Sequence, residues 1–256
     1  MKYFETHAHY NDEKFNNILE ETLEECEKAG VQYIINIGYN KESSIKAVEL
    51  ANQKENVYAV IGAHPSDVDS CNADNIEEVY NEYNNSKVLA IGEIGLDYAF
   101  VKDNKQEQIE LFRSQIELAN KLKLPIIVHS RDSSLDTYNV LKDTPAKYGT
   151  LMHCFQPSED LVRLVVENGY MVAFGGNITY KRAKSFSTYM EMIPIEQIVI
   201  ETDSPYLPPE PLRGTLNTSK NLPIILKKLA EYKKMDEEIV AEIVYNNSIR
   251  FFNIKE

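Results

Sequence analysis

The sequence predicts an α/β protein of the (β/α)8 TIM-barrel type, with a metal site at the C-terminal face of its strands. Three observations carry this expectation. Eight short β-branched runs recur along the chain, amphipathic helical stretches separate most of them, and histidines and acids fall at comparable places near the run ends. A doubly wound open sheet shares the alternation, but the count of eight and the length of 256 residues favour the barrel. Residues 1–256 read as one domain.

In chain order, YFETHA (3–8) is followed by NNILEETLEECEKAG (16–30), whose apolar residues recur at three- and four-residue spacing and which stops at Gly30 after Lys28. YIINIG (33–38) leads into the helical ESSIKAVELANQ (42–53). VYAVIGA (57–63) and VLAIGEIG (88–95) are next, then the helical QEQIELFRSQIELANKLKL (106–124), stopped by Pro125. PIIVHS (125–130), TLMHCF (150–155), MVAFGG (171–176) and IVIETD (198–203) complete the eight. Beyond residue 220, LPIILKKLAEYKKM and DEEIVAEIVYNNSIRFF read as two closing helices packed outside the barrel as its last covering layer.

Composition narrows the class. With 43% hydrophobic and 26% charged residues the chain reads as a soluble globular protein. No apolar run is long enough to span a bilayer, and MKYFETHAHY lacks the pattern of a signal peptide, so no membrane partner is expected. Cys26, Cys71 and Cys154 are odd in number and widely spaced, which suggests free thiols in a reducing cytoplasm. The net charge of −13 argues against broad electrostatic binding of nucleic acid. It leaves a phosphate substrate open, because bound metal ions supply positive charge locally.

The polar residues are concentrated. His7 and His9, at i and i+2 of a strand, aim at one spot. His64 in GAHP, His129 in VHS and His153 in LMHCF sit near other run ends, as do Glu93 in GEIGLD and Asp203 in ETDSPYL. Taken singly, each reads as an ordinary hydrogen-bonded core residue, ion-paired carboxylate or turn cap. Gathered at one barrel mouth, they would be hard to tolerate without a cation. Histidines with two carboxylates suit borderline ions such as zinc, manganese, cobalt or iron, and one carboxylate can bridge a pair of ions that clamps a hydrolytic reaction. His64 and Arg131 then stand ready for an anionic substrate group, although Arg131 also reads as half of an ion pair with Asp132 or a neighbour.

At these residues the sequence resembles the TatD family of metal-dependent deoxyribonucleases and hydrolases, within the amidohydrolase-like barrels. The likeness runs in order through FETHAHY (4–10), GAHP (62–65), GEIGLDY (92–98), PIIVHSRD (125–132), HCF (153–155), ETDSPYL (201–207), RGTLN (213–217) and NNSIRFF (246–252). It implies two divalent ions (magnesium, manganese or zinc). His7, His9, Glu93 and Asp203 hold one, and Glu93 bridges to a second held by His129 and His153. His64 and Arg131 face the scissile phosphate, and Asp203 orients or deprotonates the attacking water. The implied substrate is DNA, cut at a strand end to leave a 5′-phosphate. Asp97 and Tyr98 read as supports at the mouth or as purely structural residues. Two departures stand out. Glu5 occupies a position where the family usually has Asp, which should shift a supporting contact rather than remove a ligand. Thr215 and Leu216 replace residues that are basic in many relatives, which weakens the case for tight binding of long DNA. A metal-dependent hydrolase of a small ester, amide or phosphorylated molecule is the alternative, and a non-catalytic metal-binding scaffold a more distant one.

Overall fold

Eight parallel strands lie side by side in chain order as one sheet. They are β1 (Tyr3–Ala8), β2 (Val31–Ile37), β3 (Val57–Ile61), β4 (Val88–Asp97), β5 (Ile126–Arg131), β6 (Thr150–Met152), β7 (Met171–Phe174) and β8 (Ile198–Ile200). This computed structural model describes residues 1–83, 85–99, 103–181, 183 and 187–255.

The expected barrel is present, and the sheet curls until its edges almost meet. The seam is short: Ala8 bridges Ser204, Asp203 N–H donates to His7 O (2.9 Å), and His9 N–H donates to Ser204 O (2.6 Å). Closure therefore uses the same residues that carry candidate site side chains.

Helices connect the strands on the outside. Among the described residues these are α1 (Leu19–Lys28), α2 (Lys41–Gln53), α3 (Ala73–Glu82), α4 (Lys105–Leu122), α5 (Ser134–Asp143), α6 (Glu159–Asn168) and α7 (Ser187–Met192), with α8 (Leu222–Lys233) and α9 (Glu237–Phe252) after β8. None is long and apolar enough to cross a membrane. The closing helices do pack against β1 and β8, as expected. The end of α9 also does something the pattern did not suggest: Tyr245, Phe252 and Ile254 join a buried cluster with one or more residues from every strand. Phe4 of β1 stacks on Phe252 there, ring centroids 5.7 Å apart.

That cluster (Phe4, Ile35, Val60, Ala90, Ile127, Leu151, Val199 among others) is the filled lumen, and a second, larger core lies between strands and helices. Strand parity carries the lumen face up to the mouth. His129 lies two residues beyond Ile127, His153 two beyond Leu151, and Glu201 two beyond Val199. On β1 and β4 the register shifts between Glu5 and Ala8 and between Ile91 and Ile94, flanking His7 and Glu93. Such irregularities re-aim side chains at a barrel rim.

Five strands end earlier than their apolar runs, β2 and β3 by one and two residues and β6, β7 and β8 by two or three. After β6 the chain turns at Cys154 (φ 44°), after β8 at Asp203 (φ 58°), and Gly175 leads β7 into a 3-10 turn over Gly176–Thr179. His153 and Asp203 thus stand on turns above the sheet. Two glutamines of α4 hold other rim segments: Gln115 exchanges two hydrogen bonds with the Ala63 main chain, and Gln108 does the same with Asp97.

Candidate metal centre

A carboxylate surrounded by imidazoles forms the middle of the mouth. Every histidine of the chain places a ring nitrogen within 4.0 Å of the Glu93 carboxylate. His7 and His9 approach Oε2 at 3.5 and 4.0 Å. His129, His153 and His64 approach Oε1 at 2.7, 3.4 and 3.9 Å.

The far nitrogen of each ring decides what the near one offers, because a neutral imidazole has one N–H and one lone pair. His9 Nδ1 meets the Ile37 carbonyl (3.1 Å), His129 Nε2 meets Asp97 Oδ2 (3.1 Å), and His153 Nδ1 lies 2.9 Å from Glu201 Oε1, close enough for an ion pair though poorly aligned as a hydrogen bond. Each of these partners is an acceptor, so with a cation on the Glu93 side each ring keeps its proton on the outer nitrogen and turns a lone pair inward. His7 Nδ1 is buried without a hydrogen-bond partner among the described residues. His64 is the reverse case. Ser66 N–H donates to its Nδ1 (3.1 Å), so the neutral ring carries its proton at Nε2 and presents a donor to the site. His9, His129 and His153 are thus oriented to bind a cation, and His64 to hydrogen-bond something else.

The donor spacing fits an ion. Around His7 Nε2, His9 Nε2, Glu93 Oε2 and Asp203 Oδ1, the measured separations run 3.3, 3.4, 3.5, 3.8 and 4.0 Å. A tetrahedral ion with bonds of about 2.0–2.2 Å sets its donors about 3.3–3.6 Å apart. Glu93 Oε1 with His129 and His153 forms a second convergence beside it. Cys154 also approaches His153 and Glu201, but burial and the neighbouring acids push its thiol well above the usual range, so it offers no thiolate.

The electrostatics favour a cation here. Burial alone would raise Glu93 and Asp203, yet His153, His129 and His7 pull Glu93 well below the usual carboxylate range, and His9 and His153 hold Asp203 low. Burial likewise opposes charging His153 and His129, but Glu201 and Glu93 lift the first to about 10, and Asp97 and Glu93 lift the second to about 9. The field that attracts those protons attracts a divalent ion more strongly. His64, by contrast, is pushed down to about 4 by burial and by His129, and stays neutral.

One support, Glu201, goes unmarked in the sequence, and a second, Glu5, is marked there only as a departure from the family pattern. Glu201, fully buried, holds both His153 and the Cys154 N–H (2.8 Å). Glu5 accepts from His7 N–H (3.1 Å), Thr202 N–H (2.8 Å) and the Thr202 hydroxyl (2.5 Å), tying β1 to the segment after β8. The expectation that Glu5 alters a supporting contact and removes no ligand agrees with this placement. Asp97 proves to be a direct partner of His129. Tyr98 instead donates to Asp136 (2.9 Å) away from the cluster. Because such outer partners orient ligands, Glu201→Gln is expected to weaken zinc binding about 10–100-fold with the circular dichroism spectrum retained. Chelator competition measures it, and unchanged affinity would remove Glu201 from the centre.

The cluster lies where two arms of a cleft meet, both lined by His129, Arg131, His153, Asp203 and Tyr206. The wider, about 990 Å³, runs over the loops after β7 and β8 to Tyr180, Lys181, Glu210 and Arg213. The narrower, about 480 Å³, runs over the loops after β2 and β3 to Tyr39, His64 and Ser66. Arg131, at the junction, also lowers the Asp97 carboxyl, against the larger upward push of burial and alongside the His129 and Ala99 hydrogen bonds.

The family profile described as TatD related DNase matches residues 4–253. The chain is 36% identical over 252 residues to YabD of Bacillus subtilis, an uncharacterized metal-dependent hydrolase, covering 98% of this chain and 99% of that one. It is 33% identical to MJ1582 of Methanocaldococcus jannaschii, also an uncharacterized metal-dependent hydrolase, over 98% and 97% of the two chains. Among solved structures it is similar to YjjV, the TatD homolog of Escherichia coli, with a TM-score of 0.92, 27% identity, and 99% and 98% coverage.

Proposed function

The chain belongs to the TatD family of metal-dependent hydrolases, and from that premise we propose that it is a deoxyribonuclease, hydrolysing phosphodiester bonds at DNA ends and leaving a 5′-phosphate on the product. The observation that carries the reading is the position of Glu93, one oxygen toward His7 and His9 and the other toward His129 and His153, at the junction of two cleft arms. His7, His9, Glu93 and Asp203 would hold one divalent ion, and Glu93, His129 and His153 a second.

Magnesium, manganese or zinc bound there would supply Lewis acidity and a water of lowered pKa; the imidazole-rich donor set suits zinc or manganese better than magnesium. Asp203, kept ionised by His9 and His153, accepts the proton of the attacking water at its carboxylate. His64, neutral with its proton at Nε2, donates to a phosphoryl oxygen, and Arg131 offsets the phosphate charge.

The test is cleavage of end-labelled single-stranded DNA by metal-stripped protein after adding magnesium, manganese or zinc. Metal-dependent shortening is expected, reduced on the order of 10³-fold in Asp203→Asn. A folded, metal-loaded protein that leaves DNA intact sinks the reading. The small-substrate alternative draws on the −13 charge and on Thr215 and Leu216, which are exposed and uncharged in the RGTLN segment. Turnover of esters or amides in that same preparation would put it first.

A further inference from the structure

Cations are scarce in this chain, 27 against 40 acids, yet the two cleft arms share them unevenly. The narrower arm has Arg131 as its one permanent cation among the described residues. The wider arm adds Lys181 and Arg213, opposed by Asp203 of the cluster and Glu210.

Arg213 is placed by stacking: its guanidinium lies 4.2 Å from the centre of the Tyr180 ring. That contact engages the face of the group and leaves its N–H edge for acceptor oxygens. The two residues come from different loops locked together beneath them. Tyr180 donates its hydroxyl to Pro208 O (3.0 Å), and Glu210 N–H donates to Thr179 Oγ1 (2.8 Å). The backbones touch at Gly176, where a Cβ would come within 2.1 Å of Leu207 O. A guanidinium held by its face, lining the same cavity as His129, His153 and Asp203 of the cluster, suits a second oxyanion of the same substrate.

We infer that Arg213, stacked on Tyr180 and assisted by Lys181, forms a subsite for the phosphate one nucleoside away from the scissile bond. The inference rests on the phosphodiester reading above. It assigns the continuing strand to the wider arm and the single terminal nucleoside to the narrower one, and so ties the unequal arms to attack at a strand end. Water oxygen joins phosphorus at the centre, the bond from phosphorus to the 3′ oxygen breaks, and the proton passes to that oxygen. Arg213 makes no bond in this step.

The test uses end-labelled hexathymidylate and the same strand with an uncharged methylphosphonate at the linkage next to the cleaved one, placed at either end in turn. For wild type the neutral linkage is expected to lower kcat/KM about tenfold, the size of one charge-assisted hydrogen bond. In Arg213→Gln that penalty should nearly vanish, with the loss carried by KM, and Lys181→Gln should reduce it. Lys28→Gln, an equal charge change at the opposite end of the barrel, should keep the wild-type penalty. A penalty equal in wild type and Arg213→Gln, or none in wild type, overturns the subsite and leaves the nuclease reading standing. A wild type that cleaves neither strand removes both.

Discussion

Glu93→Gln is expected to retain at most one ion and to lose hydrolysis by on the order of 10³-fold or more. Both carboxylate oxygens of Glu93 are engaged, Oε2 with His7 and His9, Oε1 with His129, His153 and His64. An amide offers one acceptor oxygen and one donor nitrogen, so it cannot present lone pairs on both sides, and it removes the charge that balances two cations. The volume is unchanged, which separates this effect from a packing defect. Metal content after dialysis, together with single-turnover cleavage, measures the outcome. Two retained ions and cleavage near the wild-type rate would take Glu93 out of its central role.

Gly95→Ala is expected to destabilise the protein by about 4 kcal/mol or more, lowering Tm by about 10 °C. Gly95 has φ of 140°, a region closed to residues with a Cβ, and the added carbon would lie 2.0 Å from His129 O. Gly95 pairs directly with His129 across β4 and β5, so the strands must part where a candidate ligand is held. Whatever fraction folds should also show weakened metal uptake. Calorimetry with and without zinc checks both points; a wild-type melting temperature would show that the pair relaxes without cost.

The order of the strands was legible because each run combines β-branched residues with a flanking helix or loop, and local patterns of that kind survive tertiary packing. So was the donor set: His7 and His9 share a strand face by simple alternation, and GEIGLD, VHS and ETDSP each end a run. Run ends were read long where polar residues follow the apolar ones, since backbone turns at Cys154 and Asp203 leave no apolar gap to mark them. Glu201, two letters before Asp203, carries no mark of its own in the sequence, yet it is a buried carboxylate that faces His153 Nδ1. Parity with Val199 is the signal that could have found it. The tautomer argument that separates His64 from the other histidines depends on the Ser66 amide, and the Arg213–Tyr180 stack on two loops far apart in sequence. Neither relation has a sequence period to reveal it.

The short seam between the chain's first strand and the segment after its last has a consequence for how the molecule is assembled. Glu5 and Thr202 are 197 residues apart, and His7 meets Asp203 through a contact of the same reach. Joining positions that distant closes one of the longest loops the chain contains, a slow and entropically demanding event compared with pairing neighbouring strands. Because His7, His9 and Asp203 belong to one donor group, a chain with seven strands seated and the first still loose would have most of its secondary structure and no complete metal centre. Return of metal-dependent turnover on refolding therefore times the meeting of the barrel's first strand with the segment after its last.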